Sequence, residues 1–169
     1  MDKPLNKFLV QKVLTHYLKQ LEHIVTLSRN TEPKLLDARL SEDMFDFYVQ
    51  CQIVCNMALR FYAPLSGNLV PNIEQEQKSW HGILQQITDT KDFIRQHELA
   101  DNWQEKLIED KAGFQSVALP GIEFFQQFAL PNLIFHLTLV YTTAKLNGVK
   151  VSKGDFDGFH HYPEGFSFQ

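Results

Sequence analysis

Leu130-Pro131-Asn132-Leu133-Ile134-Phe135-His136 decides how this 169-residue chain is read, because it sets one imidazole among apolar residues at helical spacing. Pro131 suits the first turn of a helix, where its missing N–H costs nothing. At 100° per residue, Asn132, His136, Leu139, Val140 and Thr143 share one side, with Thr138 and Lys145 opposite. Gly148 stands just past the end of this helix. A histidine on an apolar face with an asparagine one turn before it is either a satisfied core pair or part of a pocket.

Working outward, the same 3.6-residue period marks three more helices. Val10, Val13, Leu14, Tyr17, Leu21 and Ile24 form a stripe that predicts a helix from about Pro4 to Ser28. Ser41-Glu42-Asp43 reads as the start of a second, carrying Met44, Phe47, Tyr48, Cys51, Val54, Cys55, Ala58 and Tyr62 inward and ending near Pro64 to Gly67. Trp80, Ile83, Leu84, Ile87 and Ile94 predict a third over Ile73 to His97. The expected fold class is all-α: a four-helix bundle in a single domain spanning residues 1–169. Two segments depart from that plan. Lys106 to Glu109 and Phe114 to Ala118 read as the arms of a small hairpin around Asp110-Lys111-Ala112-Gly113, before a short helix over Gly121 to Ala129. The tail from Gly148 to Gln169 holds Gly154, Gly158, Gly165 and Pro163, which predicts a non-helical segment. It also holds five aromatic rings, which must pack on the bundle or across a partner subunit.

Composition narrows the function. Hydrophobic residues at 44% and charged residues at 21% are those of a globular chain that buries a sizeable core. Sixteen Lys and Arg against twenty Asp and Glu give a net charge of −4, and no basic cluster forms. Long-range attraction to nucleic acid or an anionic membrane is therefore missing. The N-terminal stretch is interrupted by Gln11, Lys12 and His16, so it resembles neither a signal peptide nor a membrane span. Cys51 and Cys55, four apart, read as buried apolar residues rather than a redox or zinc pair, which suits a cytoplasmic protein.

The candidate site residues are few. His136 has Asn132 four residues before it and Val140 four after, so it has no histidine at ligand spacing on its own helix. The residues alone favour a hydrogen-bonded structural histidine. Asp43, Gln50 and Gln52 edge the apolar stripe of the second helix, where they can meet Asn132 and His136 across the bundle. His16, Gln20 and His23 edge the first helix and read as surface, as do His81 and His97; His160-His161 reads as structural or exposed. No G-x-S-x-G, P-loop, Rossmann or H-E-x-x-H motif occurs.

Two blocks then carry a resemblance. Ala38-Arg39-Leu40-Ser41-Glu42-Asp43-Met44-Phe45 with Gln50 and Gln52 is the first. Ala129-Leu130-Pro131-Asn132 through Phe135-His136, with Tyr141, Asn147-Gly148-Val149 and Gly154-Asp155-Phe156, is the second. Together they resemble a domain-of-unknown-function branch of the DinB/YfiT-like metalloenzyme superfamily, over nearly the whole chain. The resemblance implies a four-helix bundle, commonly dimeric. Metal-binding members use one histidine from the second helix and an H-x-x-x-H pair from the last, and some are thiol-dependent transferases or isomerases. By that resemblance His136 falls at the second histidine of the pair, Asn132 at the first, and Gln50 or Gln52 near the helix-two position. One imidazole of three is kept, and the two amides would hold a transition metal weakly.

The expectation is therefore a small-molecule-binding, cytoplasmic, homodimeric protein with a polar pocket lined by His136, Asn132, Gln50, Gln52 and Asp43, and no metal. Two alternatives stand beside it. One is a Zn- or Ni-dependent transferase, isomerase or hydrolase; the other is a homodimeric structural or interaction protein.

Overall fold

The computed structural model describes residues 7–163 and 165–167. The chain is mostly helical, with one small two-stranded sheet. Helix α1 runs Lys7–Thr31 and buries Val10, Leu14, Leu18, Leu21, Ile24 and Val25 at the spacing the sequence shows. The predicted start at Pro4 lies outside the described residues. At the other end α1 continues one turn past Ser28, until the residue before Pro33, where the helical conformation becomes unfavourable.

Helix α2 spans Phe47–Leu65, and its start corrects the sequence reading. Asp46, not Ser41-Glu42-Asp43, is the N-cap: its side chain accepts a hydrogen bond from Val49 N–H at 3.0 Å. The Ser41 hydroxyl donates instead to Asp43 Oδ1 at 2.5 Å, closing a separate exposed turn. Both are acidic turns with capping chemistry. Only the second precedes residues, Phe47 and Tyr48, that are buried at once.

Helix α3, Trp80–Gln96, begins seven residues later than the predicted Ile73. Ser79 caps it by accepting from Gly82 N–H at 2.9 Å. The polar residues before it have helix propensity but no apolar face to bury. They are held by side chains of other elements: Asn56 donates to Glu74, and Lys78 bridges Asp37 and Asp46 at 2.7 and 2.8 Å.

The hairpin is present. Strand β1, Leu107–Ala112, pairs antiparallel with β2, Gln115–Pro120, in register from Leu107↔Pro120 to Ala112↔Gln115. Asp110, Lys111 and Ala112 belong to β1, so the turn is Gly113-Phe114. Gly113 at φ +60° supplies the first position of a tight hairpin turn. Arg60 of α2 anchors the hairpin, with Nε and Nη2 on the two oxygens of Asp110 at 2.8 and 2.6 Å.

From β2 the chain enters helix directly. A single turn, α4 (Gly121–Glu123), leads into a π-helical segment, Phe124–Ala129, and then α5, Leu130–Leu146. Pro131 therefore lies in the first turn of α5, as the sequence predicts, and that turn continues an unbroken helical path from the π segment. The wider turn before it accommodates a residue that offers no N–H and crowds the preceding turn. Leu130 N–H accordingly reaches back five residues to Phe125 O. At Gly121 any side chain would collide, since a Cβ there would lie 2.0 Å from Trp103 O.

Helix α2 touches α1, α3 and α5; α1 also touches α3 and α5. The core between them includes Leu14, Leu18, Leu21, Val54, Phe61, Ile87 and Leu137. Cys51 and Cys55 are free and fully buried there, and burial pushes the Cys55 thiol up to about 12.

The tail is partly helical, contrary to expectation. Ser152 and Asp155 form a capping box that nucleates α6, Lys153–Asp157, and Gly158 at φ +74° ends it. The glycines bound this helix rather than forbid it. The tail packs on its own α1 and α5, through Phe156 against Tyr141 and Phe159 stacked on His16. Glu164 and Phe168 lie outside the described residues.

A histidine–glutamine pair as candidate functional site

Helix α5 buries Leu133, Leu137, Val140 and Ala144 along its centre. His136 is therefore not at the middle of the apolar face, as the sequence pattern suggests. It stands about 70° to one side, half-buried, on the flank that faces α2. An imidazole at the centre would bring two polar nitrogens into an aliphatic contact with no partner for the second.

On this flank His136 Nδ1 lies 2.6 Å from Gln50 Oε1. Gln50 is buried, and its Nε2 donates to Phe45 O at 3.3 Å. That second bond orients the amide, because the reverse orientation would face two carbonyl oxygens and leave the imidazole no acceptor. His136 Nδ1–H is thus the donor to Gln50. Burial holds the His136 pKa below its usual 6.5, so the ring is neutral at pH 7 and its Nε2 carries a lone pair. Phe135, exposed, meets the imidazole edge-on with centroids 5.2 Å apart.

Asn132 is one turn earlier on the same flank. Its Nδ2 donates to Phe128 O at 2.6 Å, which leaves Oδ1 and the second Nδ2–H uncommitted. Gln52 does not join the pair: two residues after Gln50, it lies about 200° round α2. Asp43 does not join it either. It is exposed ahead of α2, and the Ser41 hydroxyl lowers its carboxyl pKa. Of the five candidate residues, the structure brings together His136 and Gln50, with Asn132 beside them.

Two histidines read as surface prove to be partners of the tail. His16 Nε2–H donates to Asp157 O at 2.8 Å, and His23 Nε2 lies 2.8 Å from Asp155 Oδ1. Their spacing of seven residues puts both on one face of α1, a signal visible in the sequence; their acceptors lie more than 130 residues away. His160 pairs with Asp157 and completes the fold of the tail. A broad depression of about 1150 Å³ lies over the outward side of α1, among Phe8, Leu9, Lys12, Lys19, Arg95 and Phe159. None of the five candidate site residues lines it.

The three-histidine metal site implied by the resemblance does not fit these atoms. Gln50 Oε1 already accepts the His136 proton, and the Asn132 amide is turned toward its own backbone. Among the described residues no three of His, Cys, Asp and Glu are grouped to hold a metal ion.

Comparison with known proteins agrees with this scaffold. A solved DinB family member from Shewanella denitrificans superposes with a TM-score of 0.78 at 26% identity, covering 93% of this chain and 98% of that one. No curated protein matches. Residues 8–157 match the family described as domain of unknown function DUF1993. The chain is a member of the DUF1993 family, with a DinB-like fold.

Proposed function

We propose that this DinB-like four-helix bundle binds a small molecule on the α2–α5 flank, with His136 as the recognition group and Gln50 as its positioning residue. The supporting observation is the Nδ1–H to Gln50 bond, which fixes a half-buried neutral imidazole in one tautomer with Nε2 left for a ligand. Fixed, partly desolvated polar atoms beside an aromatic ring are the usual means by which a small ligand is oriented. The donor set argues against the Zn- or Ni-dependent alternative, and no catalytic step is assigned. Among the described residues no helix is long and apolar enough to cross a membrane. The free, buried cysteines support a cytoplasmic setting.

A fragment screen by NMR tests the reading. Ligands that bind should move the His136 ring signals and lose affinity in His136→Leu. A set of ligands that binds the variant equally well would sink it.

A second reading concerns assembly. Phe8 and Leu9 stand 62% and 47% exposed on α1, with Phe159 80% exposed beside the same depression. These residues support pairing of two copies through α1. Light scattering should give a dimer mass that falls to a monomer in Phe8→Asp; a monomer in the unaltered protein rejects the pairing.

A further inference from the structure

On the His136 flank the imidazole is fixed as an acceptor toward any ligand. The Nδ1–H of His136 is committed to Gln50, and Gln50 Nε2–H to Phe45 O. One Nδ2–H of Asn132 donates to Phe128 O. What remains toward a ligand is His136 Nε2, an acceptor, and one helical turn from it the Asn132 amide, with Oδ1 as a second acceptor beside its one uncommitted Nδ2–H. Neither acceptor has another hydrogen-bond partner among the described residues.

We infer that this flank selects ligands whose head group donates hydrogen bonds, of the ammonium or amine class, over carboxylates and phosphates. The inference rests on the small-molecule reading above and names its ligand chemistry. An ammonium offers three N–H donors and can meet both acceptors at once. A carboxylate offers none, and at His136 would bring an oxygen against the Nε2 lone pair on a partly desolvated surface. The edge of Phe135 against the imidazole adds an apolar wall, so an aromatic or aliphatic group carrying the amine completes the match. Gln50 acts through His136: as an uncharged acceptor it fixes the tautomer without favouring the imidazolium, which would convert Nε2 into a donor.

Benzylammonium and benzoate, alike in shape and opposite in hydrogen-bond polarity, serve as probes. Each is titrated at pH 7.5 into ¹⁵N-labelled protein, and the His136 ring nitrogens and the Asn132 amide are followed. In the free protein the long-range ¹H–¹⁵N pattern should show His136 protonated at Nδ1. Benzylammonium should shift Nε2 and bind at least about tenfold more tightly than benzoate, as expected when one ligand leaves a half-buried acceptor unpaired. Gln50→Glu still accepts from Nδ1 but favours the imidazolium, so its Nε2–H should abolish the benzylammonium preference. Benzoate binding at His136 in preference to benzylammonium would overturn the ligand class and leave the small-molecule reading standing. No response at His136 to either probe would overturn both. A tautomer protonated at Nε2 would overturn the acceptor pattern directly.

Discussion

The chain uses helix-borne histidines in two places, and the two differ in what the ring is for. On α1, His16 and His23 lie on an open face, and their Nε2 atoms hold the tail at Asp157 O and Asp155 Oδ1. On α5, His136 is sunk into the α2 contact, tied through Nδ1, with Nε2 uncommitted. The first two are fasteners whose partners belong to the chain. The third is held by the chain on one side only, and that asymmetry singles it out as a recognition group. Exposure alone would have pointed to the wrong histidines.

The comparison can be broken by removing its shared background. Leu137, fully buried next to His136 on α5, sets the scaffold for the pair. Leu137→Ala should cost about 2–5 kcal/mol in chemical denaturation, while leaving the His23–Asp155 contact intact until global unfolding. A cost under 1 kcal/mol would mean the α2–α5 contact is looser than described.

The next effect in size separates the two histidine regions. Gln50→Leu should destabilise by about 1–3 kcal/mol because it leaves a half-buried imidazole N–H unpaired. In a double-mutant cycle with His136→Leu the two costs should be strongly non-additive. Additive costs would show that the pair is not coupled. His23→Gln, by contrast, removes an exposed contact worth about 0.2–1 kcal/mol. Its main readout is faster amide exchange over residues 153–160, with the rest of the chain unchanged.

Acid titration gives the smallest but most specific separation. His136 has a folded pKa below 6.5, so on unfolding it takes up protons just below that pH. Stability should fall as pH drops through 6.5 and level off below the folded pKa, a limb that His136→Leu removes. The tail carboxylates act in the same direction but in a lower window. Hydrogen bonds from the backbone N–H groups of His160 and Phe159 hold Asp157 down to about 2, and Asp155 is lowered by the Ser152 N–H and by His23. Their contribution is complete above about 4 and is lost only as pH falls toward 2. Asp155→Asn should blunt that lower limb and leave the one near 6.5 in place.

Sequence made the long amphipathic elements legible because burial itself sets their period, and the hairpin because Gly113 must adopt positive φ. It misplaced the start of α2, where two candidate caps lie within a turn or two and only tertiary burial chooses between them, and that of α3, whose polar lead-in has helix propensity but no apolar face to bury. Ser41 and Asp46 have the same chemistry; Phe47 decides. The His136–Gln50 pair was half visible: both residues edge an apolar stripe, but which of Gln50 and Gln52 turns toward α5 depends on the rotation of α2. The tail helix had a local signal, the Ser152–Asp155 capping box, that the surrounding glycines masked, while its two histidine contacts stayed hidden because Asp155 and His23 meet only after the bundle has closed.

The π-helical segment Phe124–Ala129 sets the phase of everything after it. A π turn closes back five residues where an α turn closes back four, so it inserts one extra step, about 100° of rotation, between the hairpin and α5. Upstream of that step Gly121 is pinned against Trp103 and Asp110 is clamped by Arg60; downstream, His136 must point at Gln50. Without the extra step, a helix rooted at the same hairpin would present a different residue to Gln50. The irregular turn thus works as a dial: it couples the anchoring of a peripheral hairpin to the aim of a single imidazole about two and a half turns away.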